Sequence, residues 1–163
     1  MPRLAVSNTS PIQYLYQLSQ IDLLPGFYTE VIIPPAVERE LAVGRSVGVN
    51  LPGLATLPWV HVRGPAHTQP FVLATTLGAG EREALALALE VPNSLLIIDD
   101  GQARRIGRLL GLTMTGTVGV LARAKREGLI PELAPLLNQL ERLGFRLSTE
   151  ARAAALELVG EGC

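Results

Sequence analysis

Four consecutive apolar residues, Leu95-Leu96-Ile97-Ile98, are closed by two acids, Asp99-Asp100. A strand with one wet face alternates apolar and polar residues, so an unbroken apolar run is expected where both faces are covered. Leu4-Ala5-Val6 and Val31-Ile32-Ile33 read the same way, and a helix start follows each of them. Thr9 or Ser10 suits an N-cap, Pro11 suits the first helical turn, and Ile12, Leu15, Tyr16 and Leu18 fall at helical spacing. Pro34-Pro35 ends the second strand and opens a helix through Leu41, with Ala36, Val37, Glu40 and Leu41 roughly on one side.

The second half repeats the alternation. Gly78-Ala79-Gly80 leads into a helix from Glu81 to Glu90, and another runs from about Gln102 to Leu110. Leu112 to Thr115 is a short strand, and Thr117 is placed to cap a helix that ends near Glu127-Gly128. Pro131 starts a helix through Leu143, Phe145 to Leu147 is extended, and Thr149 caps a last helix through Val159. Between the halves, Gly44 to Pro58 shows no period and reads as a long loop, with Val60 to Val62 a short strand after it. Strands alternating with helices predict an α/β fold, a three-layer sandwich with a central parallel sheet. The expected organisation is one domain over residues 1–147, with residues 148–163 as a C-terminal helix packed on it or extending from it. A chain of 163 residues is long enough to bury such a core.

In an open parallel sheet, ligands gather beyond the carboxyl ends of the strands. Asn8 follows the first strand, and Asp99 and Asp100 follow the strand at Leu95. Glu40 is a charge on an otherwise apolar helix face, and Glu81 opens a helix after a Gly-rich turn. If these converge, the site holds several carboxylates that only a cation would reconcile. Hard oxygen ligands select Mg²⁺ or Mn²⁺. Each residue also has a purely structural reading. Asp99-Asp100 caps a helix, Glu81 answers the helix dipole, Glu40 is a solvated face residue, and Asn8 satisfies a turn.

Five stretches carry a resemblance. Ser7-Asn8-Thr9-Ser10-Pro11, Pro35-Ala36-Val37-Glu38-Arg39-Glu40-Leu41 and Gly80-Glu81-Arg82-Glu83-Ala84 are the first three. Asp99-Asp100-Gly101-Gln102-Ala103-Arg104-Arg105 and Thr115-Gly116-Thr117-Val118-Gly119-Val120-Leu121 complete the set. In this order they resemble the PIN-domain superfamily, and more narrowly a VapC-like branch of it, from the start to about Leu147. The resemblance implies a metal-dependent ribonuclease fold in which Asn8, Glu40, Glu81 and Asp99 occupy the metal-binding positions, with Asp100 beside them. It implies catalysis by Glu40, Glu81 and Asp99 with Mg or Mn, an RNA substrate, a small antitoxin protein as partner and a homodimer. Asn8 departs from the pattern, because the resembled nucleases carry Asp there; the amide offers an oxygen but removes one negative charge.

Between Gly101 and Arg126 stand Arg104, Arg105, Arg108, Arg123, Lys125 and Arg126, and no acid. In a chain of net charge −1 this is a local asymmetry suited to RNA phosphates, or equally to solvated faces and helix C-termini. No aromatic platform accompanies these residues. Gly78-Ala79-Gly80 is too short for a dinucleotide fingerprint, and His61 and His67 lack partners at zinc spacing. The single cysteine, no secretory pattern at the start and no apolar run near the roughly 18 residues that span a bilayer suggest a cytoplasmic protein without membrane contact.

Three functions follow as alternatives. One is an RNA-hydrolysing enzyme, the toxin of a toxin–antitoxin pair. The second is a PIN-like module impaired in catalysis by Asn8 that binds RNA or protein. A phosphoryl-accepting signalling domain ranks lowest, because its acidic pair would follow the first strand rather than a later one.

Overall fold

A computed structural model describes residues 3–67 and 76–162. Five parallel strands form one sheet in the order β3-β2-β1-β4-β5. They are β1 (Arg3–Ser7), β2 (Tyr28–Ile33), β3 (Val60–Val62), β4 (Leu95–Ile97) and β5 (Met114–Thr115). The helices are α1 (Thr9–Gln17), α2 (Leu23–Phe27), α3 (Pro35–Ser46), α4 (Ala79–Glu90), α5 (Gly101–Leu109), α6 (Thr117–Arg126), α7 (Ala134–Arg142) and α8 (Thr149–Leu158). The fold is the expected α/β sandwich around a parallel sheet.

The register explains the unbroken apolar runs. Ala5 is paired with Val31 on one side and Leu95 on the other, and all three face the cluster under α1, α2, α6 and α7. One residue along, Val6 is paired with Ile32 and Leu96, and these face the cluster built by α4 and α5. Because side chains alternate across a strand, each central strand needs apolar residues at every position. Leu96 and Ile97 are wholly buried on opposite faces. Truncating either to Ala would cost about 2–5 kcal/mol.

Several local expectations change. The helix after Pro34-Pro35 runs five residues beyond Leu41, through Gly44, to Ser46. The segment beyond it, read as a long loop, is pinned by Leu51 and Leu57, both buried, with a short 3-10 turn at Leu54–Thr56 between them. The helix α2 has no counterpart in the sequence reading. Phe145 to Leu147 join no sheet; Phe145 instead packs its ring edge-on against Tyr14. Ser148, not Thr149, caps α8, its hydroxyl accepting from the Ala151 amide at 3.0 Å.

The last helix lies against α6, and the residues after it return to the body. Glu161 accepts from the amides of Leu133 and Ala134 at 2.6 and 3.0 Å, satisfying donors at the start of α7. No helix among the described residues is long and apolar enough to cross a membrane. Cys163 lies outside the described residues.

Candidate active site

The strand order reverses between β1 and β4, and there the helices that follow the strands leave toward opposite faces. A parallel sheet opens a crevice at such a point. Asn8 ends β1 and Asp99 follows β4, and the Asn8 amide donates to the Ile97 carbonyl at 3.0 Å. The two residues are therefore held side by side by the sheet itself.

Around the crevice is a cavity of about 550 Å³ whose wall includes Asn8, Glu81, Asp99 and Asp100. Four of the five expected metal-site residues thus line one space. Glu40 does not line it. Its carboxylate turns to the edge, accepting from the Thr9 hydroxyl at 2.5 Å and the Gly80 amide at 3.1 Å. It still comes close to Asn8. A β-carbon on Gly80 would stand 2.7 and 2.8 Å from the Glu40 oxygens and 3.0 Å from Asn8 Oδ1. Gly80 is needed at the start of α4 because any side chain would occupy the space where these oxygens meet.

Asp99 is the most tightly held acid. Its Oδ1 accepts from the Thr117 amide at 2.7 Å, and its Oδ2 accepts from the hydroxyls of Ser10 and Thr117, each at 2.6 Å. Here the sequence reading is corrected. Thr9, Ser10 and Thr117 do not cap their own helices; the cap positions are Asn8 and Gly116. Thr9 and Thr117 stand one residue past the cap and Ser10 two, and each hydroxyl donates to a carboxylate, Thr9 to Glu40 and the other two to Asp99. Asp100 takes the capping role, accepting from the Ala103 amide at 2.9 Å at the start of α5.

Two features mark the cavity as electrostatically unsettled. Burial raises the Glu81 carboxyl above its ordinary range; the adjacent Glu40 and Asp100 charges push the same way, while its own backbone amide and Arg82 oppose them. Asn8 Oδ1 is buried and accepts no hydrogen bond. An orphaned buried acceptor among carboxylates is costly and calls for a partner. Among the described residues, no three His, Cys, Asp or Glu side chains are grouped so as to hold a metal ion. The donors around Asn8 nonetheless fit a hard divalent cation in kind: they are all oxygens, and one of them is unclaimed.

The basic segment is divided by the structure. The Arg104 guanidinium donates to the Ile98 carbonyl at 2.9 Å. Arg123 lies over the Phe27 ring at 4.1 Å and pairs with Glu127 at 2.6 Å. Lys125 donates to the Pro131 carbonyl at 2.8 Å and stands 3.3 Å from Glu161. Arg105, Arg108 and Arg126 are exposed. None of the six lines the acidic cavity. The cation that does is Arg146, with Tyr14 and Phe145 beside it. The sequence reading missed all three as site residues; the available signal was Gly144 after a helix, a turn that redirects the next two residues. His61 stands 3.2 Å from Glu30, and the His67 amide donates to Glu90, both away from this cavity.

A parallel α/β sandwich that presents carboxylates at its switch point is thus defined by the coordinates alone. Comparison with known proteins gives it a family. A PIN-domain family model matches residues 4–161, and the chain belongs to that family, a nuclease superfamily whose members generally depend on a divalent metal. A PilT N-terminus domain protein from the hyperthermophilic archaeon Sulfolobus solfataricus has a similar solved structure, at 24% identity and a TM-score of 0.55, covering 74% of this chain and 92% of that one. Comparison with curated proteins gave no match.

Proposed function

We propose that the chain is a metal-dependent endoribonuclease of the VapC type, the toxin of a toxin–antitoxin pair, with Glu40, Glu81 and Asp99 as its acids. The observation that carries this reading is the unpartnered, buried Asn8 Oδ1 in a crevice walled by Glu81, Asp99 and Asp100. A bound Mg²⁺ or Mn²⁺ would supply a lowered water pKa and charge neutralisation at a phosphodiester.

The chain's own groups prepare for that. Ser10 and Thr117 fix the Asp99 carboxylate, and one of its oxygens keeps accepting capacity. Thr9 and Gly80 fix Glu40 against the Asn8 amide. Asn8 contributes an oxygen without a charge, so the cavity attracts a cation less strongly than an all-carboxylate site.

That deficit favours one second reading, an impaired PIN module that binds RNA or protein without turnover. A homodimer and a small antitoxin partner belong to the first reading through family resemblance, and light scattering of the purified chain tests the dimer. The central experiment pairs calorimetric titration of Mn²⁺ with cleavage of a labelled single-stranded RNA, in the natural chain and in Glu81→Gln. Mn²⁺-dependent cleavage that vanishes in Glu81→Gln supports the nuclease. Metal binding and RNA binding without cleavage supports the impaired module. A chain that binds no divalent ion at millimolar concentration sinks both the metal site and the nuclease.

A further inference from the structure

We propose that Tyr14, Phe145 and Arg146 form a subsite for one nucleotide of single-stranded RNA, with the base against the aromatic pair and the phosphate on Arg146. The proposal rests on the nuclease reading of the neighbouring acids and names the form of RNA they would receive.

Three observations converge. First, one cavity is lined by two kinds of group: the acids Glu81, Asp99 and Asp100, and the aromatic residues Tyr14 and Phe145 with Arg146. Its volume of about 550 Å³ falls within the roughly 300–1,000 Å³ typical of small-ligand sites. Second, the aromatic pair is fixed and partly open. The rings of Tyr14 and Phe145 meet edge to face at 5.1 Å and 89°, and each residue is half-buried. Third, Arg146 is exposed, and among the described residues no carboxylate lies within ion-pairing distance of it.

Backbone geometry holds Phe145 and Arg146 in place. Gly144 has φ +99° at the end of α7. Its amide donates to Glu141 at 3.1 Å, and the Phe145 amide donates to Leu140 at 3.0 Å. This paired bonding is a Schellman closure, and a glycine with positive φ at this position lets the chain reverse without strain. Phe145 is thereby turned back onto α1, and Arg146 follows it to the cavity rim.

The ligand must answer both kinds of group. A phosphate alone would be repelled by the acids, and an apolar group alone would leave Arg146 unused. A nucleotide offers a flat apolar face and an anion one bond-path apart. Stacking requires an unpaired base, since a duplex hides its base faces, and Arg with aromatic rings is the usual equipment for single strands.

The test is fluorescence anisotropy of a labelled single-stranded oligoribonucleotide in EDTA, with the same sequence as a duplex and a 5′-mononucleotide as competitors. Arg146→Ala should weaken binding about fivefold and reduce the salt slope by about 0.7, the value for one phosphate contact on a single strand. Arg146→Lys should recover most of that loss, because the charge is retained. Phe145→Leu, which keeps apolar packing but not the ring, should weaken binding about fivefold or more. Because Arg146 is exposed, its arm stands even if Phe145→Leu disturbs folding. Competition by the mononucleotide is expected, since it carries both base and phosphate; wild-type-like affinity and salt slope in Arg146→Ala, no binding by the natural chain, or equal competition by the duplex would each overturn the subsite. Running the assay without metal separates it from the nuclease reading. Cleavage with Mn²⁺ but unaltered binding in these variants removes the subsite alone, whereas weakened binding without any cleavage removes the nuclease alone.

Discussion

Gly80 donates its amide to Glu40 Oε2 at 3.1 Å and, by having no side chain, leaves the space in which Asn8 Oδ1 and the Glu40 carboxylate approach each other. The bond ties the start of α4 to α3 across the mouth of the crevice. A single absent methyl group therefore decides whether two of the proposed ligands can share a boundary.

Gly80→Ala should separate folding from metal binding. Helix propensity favours Ala by about 1 kcal/mol, while the new β-carbon would press on oxygens at 2.7–3.0 Å. Glu40 is exposed and flexible enough to swing away, so the unfolding midpoint should change by only a few degrees. Mn²⁺ affinity should fall clearly. Calorimetry and thermal unfolding on the same sample check both halves, and unaltered metal affinity would place Glu40 outside the site.

Glu81 gives a pH signature in metal-free protein. Its folded-state pKa lies above its ordinary value of 4.5, first because of burial. The folded state then binds more protons than the unfolded one, so this group's stability contribution is complete below about 4.5 and is lost as pH rises through the raised value. Glu81→Gln should flatten that part of the stability–pH curve and abolish stabilisation by Mn²⁺. Urea midpoints at several pH values, with and without Mn²⁺, measure it. Identical slopes in the two proteins would mean that Glu81 is solvated in solution.

Asn8→Asp should behave oppositely in the presence and absence of metal. The new carboxylate would be buried beside Glu40 and near Asp99, costing about 1–3 kcal/mol without a cation. With Mn²⁺ at about 100 times its dissociation constant, binding returns about 2.7 kcal/mol. We expect a lower melting temperature in EDTA, a larger rise on adding Mn²⁺ than in the natural chain, and faster RNA cleavage. A variant as stable as the parent in EDTA would show that position 8 is more solvated than its burial indicates.

Among the basic residues, Arg123 should matter to folding and not to RNA. Its guanidinium lies over the Phe27 ring and bonds Glu127, a cation–π arrangement worth about 0.5–2 kcal/mol. Arg123→Ala should lower the melting temperature and leave oligonucleotide affinity unchanged. Arg105→Glu with Arg108→Glu, both at exposed positions, should do the reverse, weakening oligonucleotide binding at an unchanged melting temperature. Unfolding curves and anisotropy titrations separate the pairs.

The sequence makes the sheet legible because β1, β2 and β4 are covered on both faces, and that coverage writes itself as unbroken apolar runs. Asn8 and Asp99 are legible for the same reason: they end those runs, and parallel topology brings such ends together. Thr9, Ser10 and Thr117 were harder. Their type predicts a cap, but the caps fall one residue before Thr9 and Thr117 and two before Ser10, and only the fold shows that the hydroxyls then face Glu40 and Asp99. The wall at Phe145 and Arg146 was invisible to periodicity, since its placement follows from the left-handed Gly144 and from a contact with Tyr14, far away along the chain.

The Glu161 carboxylate closes the start of the same helix whose end delivers Phe145 and Arg146. Glu161, with Lys125 beside it, holds the start of α7, while Gly144 turns Phe145 and Arg146 away at its end. Between these ends the helix is seated on the core through Leu136, Leu137 and Leu140. A truncation just past Leu158 would remove Glu161 and leave the Leu133 and Ala134 amides without that acceptor. The residues that follow the last helix and the turn at Phe145 and Arg146 therefore bear on one helix from its two ends.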